Sequence, residues 1–189
     1  MMSLPEGVGF VLALLMVLCS IRELHWTWPL AAASSVMYFF VFRDSGLYAE
    51  AGLQLVFVTL ALWGWWQWMR RDASQVTALQ VQRVRRSGVM LGVMALAVLW
   101  PGIASLLITL TDSDVPWWDA LVVALSLIGQ VMLGRKLIEN WAVWIVVNAL
   151  SVVLFASRGL WLTVVLYSIF LLLSLQGWRV WRLRLATRP

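Results

Sequence analysis

The chain has 189 residues, of which 62% are hydrophobic and only 12% charged, and its mean hydropathy is +0.87. A soluble domain is nearer half apolar and a quarter charged, so the composition excludes a water-soluble globular protein and points to an integral membrane protein. The excess of basic over acidic residues, 14 against 9, reads as membrane topology rather than as a nucleic-acid surface.

A helix needs about 20 apolar residues to cross a hydrocarbon core roughly 30 Å thick. Seven segments come near this: 4–21, 26–42, 47–69, 88–110, 115–133, 137–156 and 160–181. The first lacks a basic start and a small-residue cleavage site, so it reads as retained rather than as a signal peptide. It holds the single cysteine, Cys19, which excludes a disulfide within the chain. The second follows the single histidine, His25, which has no His or Cys at ligand spacing. The third closes on Trp63-Gly64-Trp65-Trp66-Gln67-Trp68, four tryptophans in six residues, with Arg70 and Arg71 directly behind. A polar link at 70–87 carries five arginines before the fourth segment. The fifth opens on Pro116-Trp117-Trp118-Asp119, and the seventh runs into a basic tail. Long continuous runs without strand-like alternation satisfy their backbones in a bilayer only as helices. The expected fold is an all-α membrane protein of seven transmembrane helices.

Lysine and arginine set the orientation. Twelve of them fall on one side: Arg22, the five of the polar link, Arg135, Lys136, Arg179, Arg182, Arg184 and Arg188. The other side holds only two, Arg43 and Arg158. This predicts a periplasmic N-terminus and a cytoplasmic C-terminus. Six of the acids, Glu6, Asp44, Glu50, Asp112, Asp114 and Asp119, lie on or near the outer side. They are either an acidic mouth that concentrates a cationic solute or ordinary solvated loop residues.

The chain repeats itself at a shift of 113 residues. Under that shift Arg22 meets Arg135, Trp28 meets Trp141, Phe57 meets Phe170, Gly64 meets Gly177, Trp65 meets Trp178 and Trp68 meets Trp181. Segments one to three thus match segments five to seven, with the fourth as a linker. The organisation is a three-helix repeat at 1–69, a basic loop and linker helix at 70–110, and a second repeat with its tail at 111–189. A shift of four helices leaves both halves pointing the same way through the bilayer. Transporters built on parallel repeats place substrate near the midplane, between the halves.

Polar side chains at membrane depth face a bundle interior or a wet cavity. On the sixth segment Trp141, Trp144, Asn148 and Ser151 share one helix face. Asn148 has Ser35 as its repeat counterpart, with Tyr38 one turn on. Gln54 and Tyr167 stand at equivalent positions of the third and seventh segments, and Gln130 is a further buried amide. Each either contacts a solute or makes an interhelical hydrogen bond. Trp63 has Gln176, not an aromatic, as its counterpart, so it is the tryptophan of its cluster expected to touch substrate. The rest read as interfacial anchors or inner-gate walls. No nucleophile–base pair, metal cluster or phosphate-binding glycine loop is legible, so neither enzymatic activity nor a cofactor is expected.

These residues together resemble the PnuC family of bacterial vitamin transporters. The likeness lies in Trp63–Trp68, Pro116-Trp117-Trp118-Asp119-Ala120, Ser126, Gln130, and the run from Arg135 through Trp141 and Trp144 to Asn148. It closes on Gly159, Tyr167, Gly177, Trp178 and Trp181. The resemblance implies a three-one-three arrangement like that of a SWEET sugar transporter, and a homotrimer. It also implies uptake of nicotinamide riboside across the inner membrane by facilitated diffusion, with phosphorylation trapping the solute inside. On this reading Asn148, Gln130, Gln54 and Tyr167 bind ribose or amide groups, Trp63, Trp141, Trp144 and Tyr38 form aromatic walls, and Ser35 is a further substrate contact. Thiamine or riboflavin is the alternative cargo. A non-transporting interaction or sensor protein is the alternative from a different class.

Overall fold

The computed structural model describes residues 4–44, 48–72, 80–111, 114–157, 159 and 161–187. Among them are seven helices: α1 (Leu4–Ile21), α2 (Thr27–Asp44), α3 (Tyr48–Asp72), α4 (Arg86–Leu110), α5 (Pro116–Gly134), α6 (Asn140–Ser157) and α7 (Trp161–Ala186). Their bounds follow the hydropathy runs closely. The seventh runs further into the arginine-rich tail than its apolar segment, because nothing before Pro189 breaks a helix there. Helices α4, α5, α6 and α7 are long and apolar enough to cross a membrane.

The chain divides into two compact units, Met1–Gln80 and Val81–Pro189. The first contains α1, α2 and α3. The second contains α4 with α5, α6 and α7, so the linker helix packs with the second repeat. There the Trp100 indole N–H donates to the Trp117 carbonyl at 2.8 Å, and the two rings meet edge-on at 6.1 Å.

The repeat is visible in local geometry. Helix α1 ends in a turn where Leu24 N–H donates to the Cys19 carbonyl at 2.9 Å and Glu23 N–H to Ser20 at 3.1 Å. Helix α5 ends the same way, with Leu137 N–H on Met132 at 3.0 Å and Lys136 N–H on Leu133 at 2.9 Å. Both are Schellman motifs, which need a left-handed residue just past the helix end. Glu23 at φ 59° and Lys136 at φ 51° supply it, 113 residues apart and neither a glycine. These turns delay α6, which begins at Asn140 rather than at 137.

Each turn delivers a tryptophan into a helix seam. Trp28 of α2 is fully buried against Gly64 of α3 and meets Trp68 edge-on at 5.5 Å and 85°. Trp141 of α6 lies against Gly177 of α7 and meets Trp181 edge-on at 5.5 Å and 90°. A Cβ at Gly64 would fall 2.3 Å from the Trp28 ring, and one at Gly177 2.6 Å from Trp141. Helices in lipid associate through such close packing over small residues rather than through a hydrophobic force.

The two turns differ in what lies on them. In the second unit an extended strap, residues 81–85, pairs with the α5–α6 turn as an isolated parallel bridge, Gln82 with Leu137. Gln82 N–H donates to the Lys136 carbonyl and Ile138 N–H to the Gln82 carbonyl, both at 3.0 Å. Val84 N–H donates to the Glu139 carboxylate at 2.9 Å, and Val81 and Ile138 are buried beneath. In the first unit the corresponding Leu24, His25 and Trp26 side chains are exposed. That turn is instead fastened from below: Ser20 and Thr27 hydroxyls lie 2.8 Å apart and both reach the Met16 carbonyl at 2.9 Å.

Gly64→Ala and Gly177→Ala should each destabilise the protein by about 1–3 kcal/mol, the usual penalty for overpacking. The Gly64 variant should fare worse, since its Cβ sits closer to an indole. Gly92→Ala on α4, where nothing lies within 4 Å of a new Cβ, should melt at or slightly above the wild-type temperature. Thermal unfolding of the three purified variants in detergent reads the order directly.

Candidate functional site

Helix α6 carries the polar and aromatic face singled out by its sequence, and that face is turned into helix packing on both sides. Trp141 is 2% exposed in the seam with α7, and its indole N–H has no partner among the described residues. One turn on, Trp144 faces α5: a Cβ at Gly129 would lie 3.3 Å from its indole. Asn148 donates through Nδ2 to Ser174 Oγ on α7 at 3.2 Å. That is the interhelical bond which was one of the two readings of this asparagine. Ser151, one turn further, is also buried.

Gln130 follows Gly129, the α5 residue against which the Trp144 indole packs. Its residue is 5% exposed. Its amide makes no hydrogen bond among the described residues, yet it does not belong to the sealed polar atoms, which are Trp28 Nε1, Asn140 Oδ1 and Trp141 Nε1. A buried amide with unmet donors and acceptor is costly unless something from outside the chain meets it. Tyr167 lies on the same face of α7 as Ser174. Its ring stacks on Phe155 of α6 at 5.2 Å and 27° and meets Phe170 edge-on at 6.1 Å. The second unit thus places Gln130 on α5 next in sequence to the seat of Trp144, and Asn148 on α6 against Ser174 of α7, with an aromatic cluster at Tyr167. Trp141 serves as packing below them.

In the first unit Ser35, Tyr38, Gln54 and Trp63 are all half-buried. The Tyr38 ring lies against Gly9 of α1, where a Cβ would stand 3.0 Å from it. Gln54 and Trp63 lie on opposite sides of α3, since nine residues are two and a half helical turns. Gln54 is on the side of Trp68 and the α2 seam, and Trp63 is on the other, so the two do not share one surface. Trp66 is exposed, with the Arg70 guanidinium 4.9 Å above its ring. Of the outer acids, Asp112 and the side chains of Glu6 and Glu50 lie outside the described residues, as does Gly46, the repeat counterpart of Gly159. Among the described residues no group of three or more His, Cys, Asp or Glu side chains could hold a metal ion.

Sequence reasoning missed Ser174 as the partner of Asn148, and the glycines as seats for the indoles. The paired Gly and Trp matches of the repeat were the available signal for the seats. Ser174 has Ala61 as its repeat counterpart and carried none.

The family model described as nicotinamide mononucleotide transporter matches residues 3–183. The chain belongs to this family. Within the nicotinamide mononucleotide transporter family it is 25% identical to the nicotinamide riboside transporter PnuC of Escherichia coli strain K12, covering 95% of this chain and 85% of that one. It is 30% identical to the riboflavin/roseoflavin transporter RibM of Streptomyces davaonensis, covering 95% and 84%. The crystal structure of the vitamin B3 transporter PnuC shares the fold, with a TM-score of 0.74 and 24% identity over 93% of this chain and 79% of that one. The family places the chain among multi-pass membrane transporters of vitamin-type solutes, which agrees with its seven helices, four of them long and apolar enough to cross a membrane.

Gln130→Leu removes no hydrogen bond among the described residues and should melt at or above the wild-type temperature. Asn148→Leu strands the Ser174 acceptor and should cost on the order of 1 kcal/mol. Equal losses in a paired thermal-shift measurement would contradict the different roles assigned to the two amides.

Proposed function

We propose that this chain carries nicotinamide riboside into the cell by facilitated diffusion. The observation that carries the reading is Gln130, a buried amide with no hydrogen bond among the described residues, next in sequence to the Gly129 against which the Trp144 indole packs. A flat ring with an amide and a ribose needs an aromatic surface and a few well-placed amide groups. The PnuC relative carries that solute by its name. Alternating exposure of the site to the two faces of the inner membrane moves the solute, and phosphorylation in the cytosol keeps the gradient inward. Gln130 and Asn148 bond the amide or ribose, Trp144 stacks on the ring, and Tyr167 is a secondary contact. The chain works as a homotrimer, with its N-terminus in the periplasm and its arginine-rich end in the cytoplasm.

A second cargo has its own support, since RibM, the 30% identical relative, is named for riboflavin. Thiamine, like nicotinamide riboside a cation with a flat ring, is a third candidate. The melting temperature of the purified protein separates them, because the solute that binds the folded state raises it. Nicotinamide riboside is expected to give the largest shift. A shift with riboflavin or thiamine alone would reassign the cargo. No shift and no saturable uptake of any of them would leave a non-transporting membrane protein.

In proteoliposomes, Gln130→Ala and Asn148→Ala should each lower uptake at limiting substrate by roughly tenfold, the equivalent of one lost hydrogen bond of about 1.4 kcal/mol. Wild-type uptake in both variants would remove these residues from the site. Uptake should also be indifferent to imposed proton or sodium gradients. Accumulation above the external concentration, driven by such a gradient in vesicles without a kinase, would show ion coupling instead.

A further inference from the structure

Asn148 has two chemically different ends, and the seam decides which one points where. Its Nδ2 donates to Ser174 Oγ at 3.2 Å in a buried bond. Ser174, 3% exposed, donates its proton to the Phe170 carbonyl at 2.8 Å. A serine hydroxyl has one proton and two lone pairs. With the proton committed to Phe170, Ser174 can only accept from Asn148. Turning the amide over would set Oδ1 against Oγ, and Ser174 would have to withdraw its proton from Phe170 to meet it. One hydrogen bond would then replace two. The seam therefore holds Nδ2 inward and leaves Oδ1 outward.

Asn148 Oδ1 makes no hydrogen bond among the described residues, and it is not one of the sealed polar atoms. It is an acceptor held ready for a donor from outside the chain. The first repeat has no such device, because the equivalent positions are Ser35 and Ala61.

We infer that Ser174 is a positioning residue that sets substrate preference: by fixing Asn148 with its oxygen outward, it selects solutes that present an N–H or O–H donor there over those that present a carboxylate. The inference rests on Asn148 being a substrate contact of the proposed transporter. A carboxamide offers two N–H donors, whereas a carboxylate offers only acceptors. A carboxylate would place oxygen against oxygen at low dielectric, where an unmatched polar pair is most costly. A site built to bond a donor rejects the analogue lacking it more strongly than apolar contacts can.

The test uses the purified full-length protein and two probes, nicotinamide riboside and its carboxylate analogue, nicotinic acid riboside. Binding of each is titrated to wild type, Ser174→Ala and Ser174→Thr. The wild type should favour the carboxamide. Ser174→Ala frees the Asn148 amide to turn its N–H₂ outward, so the preference should narrow by roughly tenfold, the loss of one directed hydrogen bond. Ser174→Thr keeps the hydroxyl and should restore the preference. If the alanine variant does not fold, Ser174→Cys gives the same readout, because its sulfur is a weak acceptor. An unchanged preference ratio, or an equal weakening of both probes, would overturn the positioning role while leaving Asn148 in the site. Binding of neither probe to the wild type would overturn the nicotinamide reading and this inference with it.

Discussion

Everything in each three-helix unit hangs on an indole laid against a glycine. Helices in hydrocarbon gain little from hiding apolar surface, because lipid is as apolar as leucine. What holds them is contact, and contact needs one helix to present a hollow and the other a large flat group. Gly64 and Gly177 are the hollows, and Trp28 and Trp141 are the groups. Trp68 and Trp181 close each seat edge-on, the geometry that ring quadrupoles favour. Both seated indoles leave their N–H without a partner among the described residues. A buried donor left unpaired costs about 1–3 kcal/mol, so the packing of two large rings must offset that in both units.

The turns exist to aim those indoles. A left-handed residue at Glu23 or Lys136 ends the preceding helix sharply and starts the next one four residues later, with tryptophan in its first turn. From this shared frame the units diverge in their polar chemistry. The first fastens its turn with two hydroxyls on one carbonyl, Ser20 and Thr27 on Met16. The second has Leu133 and Asn140 at those positions and fastens its turn from outside, with the strap. Higher on α6 the second unit adds Asn148, fixed by Ser174, and α5 adds the unpaired Gln130. Gln130 and the Asn148 oxygen, both buried with capacity left for a ligand, lie in the unit whose turn is braced.

Much of this was legible in the sequence, for a definite reason. Seven apolar runs can be nothing but helices in a bilayer, so their number and approximate bounds follow from length alone. The repeat exposed Trp28, Trp141, Gly64 and Gly177 as special, because tryptophan and glycine rarely coincide by chance. Their pairing as ring and seat was not legible, since one-dimensional matches do not say which helix faces which. Trp141 and Trp144 shared a face on paper, but neighbours on two sides divide them, one facing α7 and the other α5. That Trp63 lies on a different face of α3 from Gln54 was legible, because helical phase alone separates positions nine residues apart. Ser174 was invisible because its importance lies in the direction of a single proton.

The strap has a consequence for how the chain is made. Val84 and the carboxylate it meets are 55 residues apart in sequence. The ribosome delivers the strap and α4 first, then α5, and only afterwards the acceptor at Glu139. Until α5 is complete and the first residues of α6 have emerged, the arginine-bearing strap has no turn to pair with. The bond between linker and second repeat is therefore a late event in biogenesis, and its closure marks the point at which both ends of α5 have been synthesised.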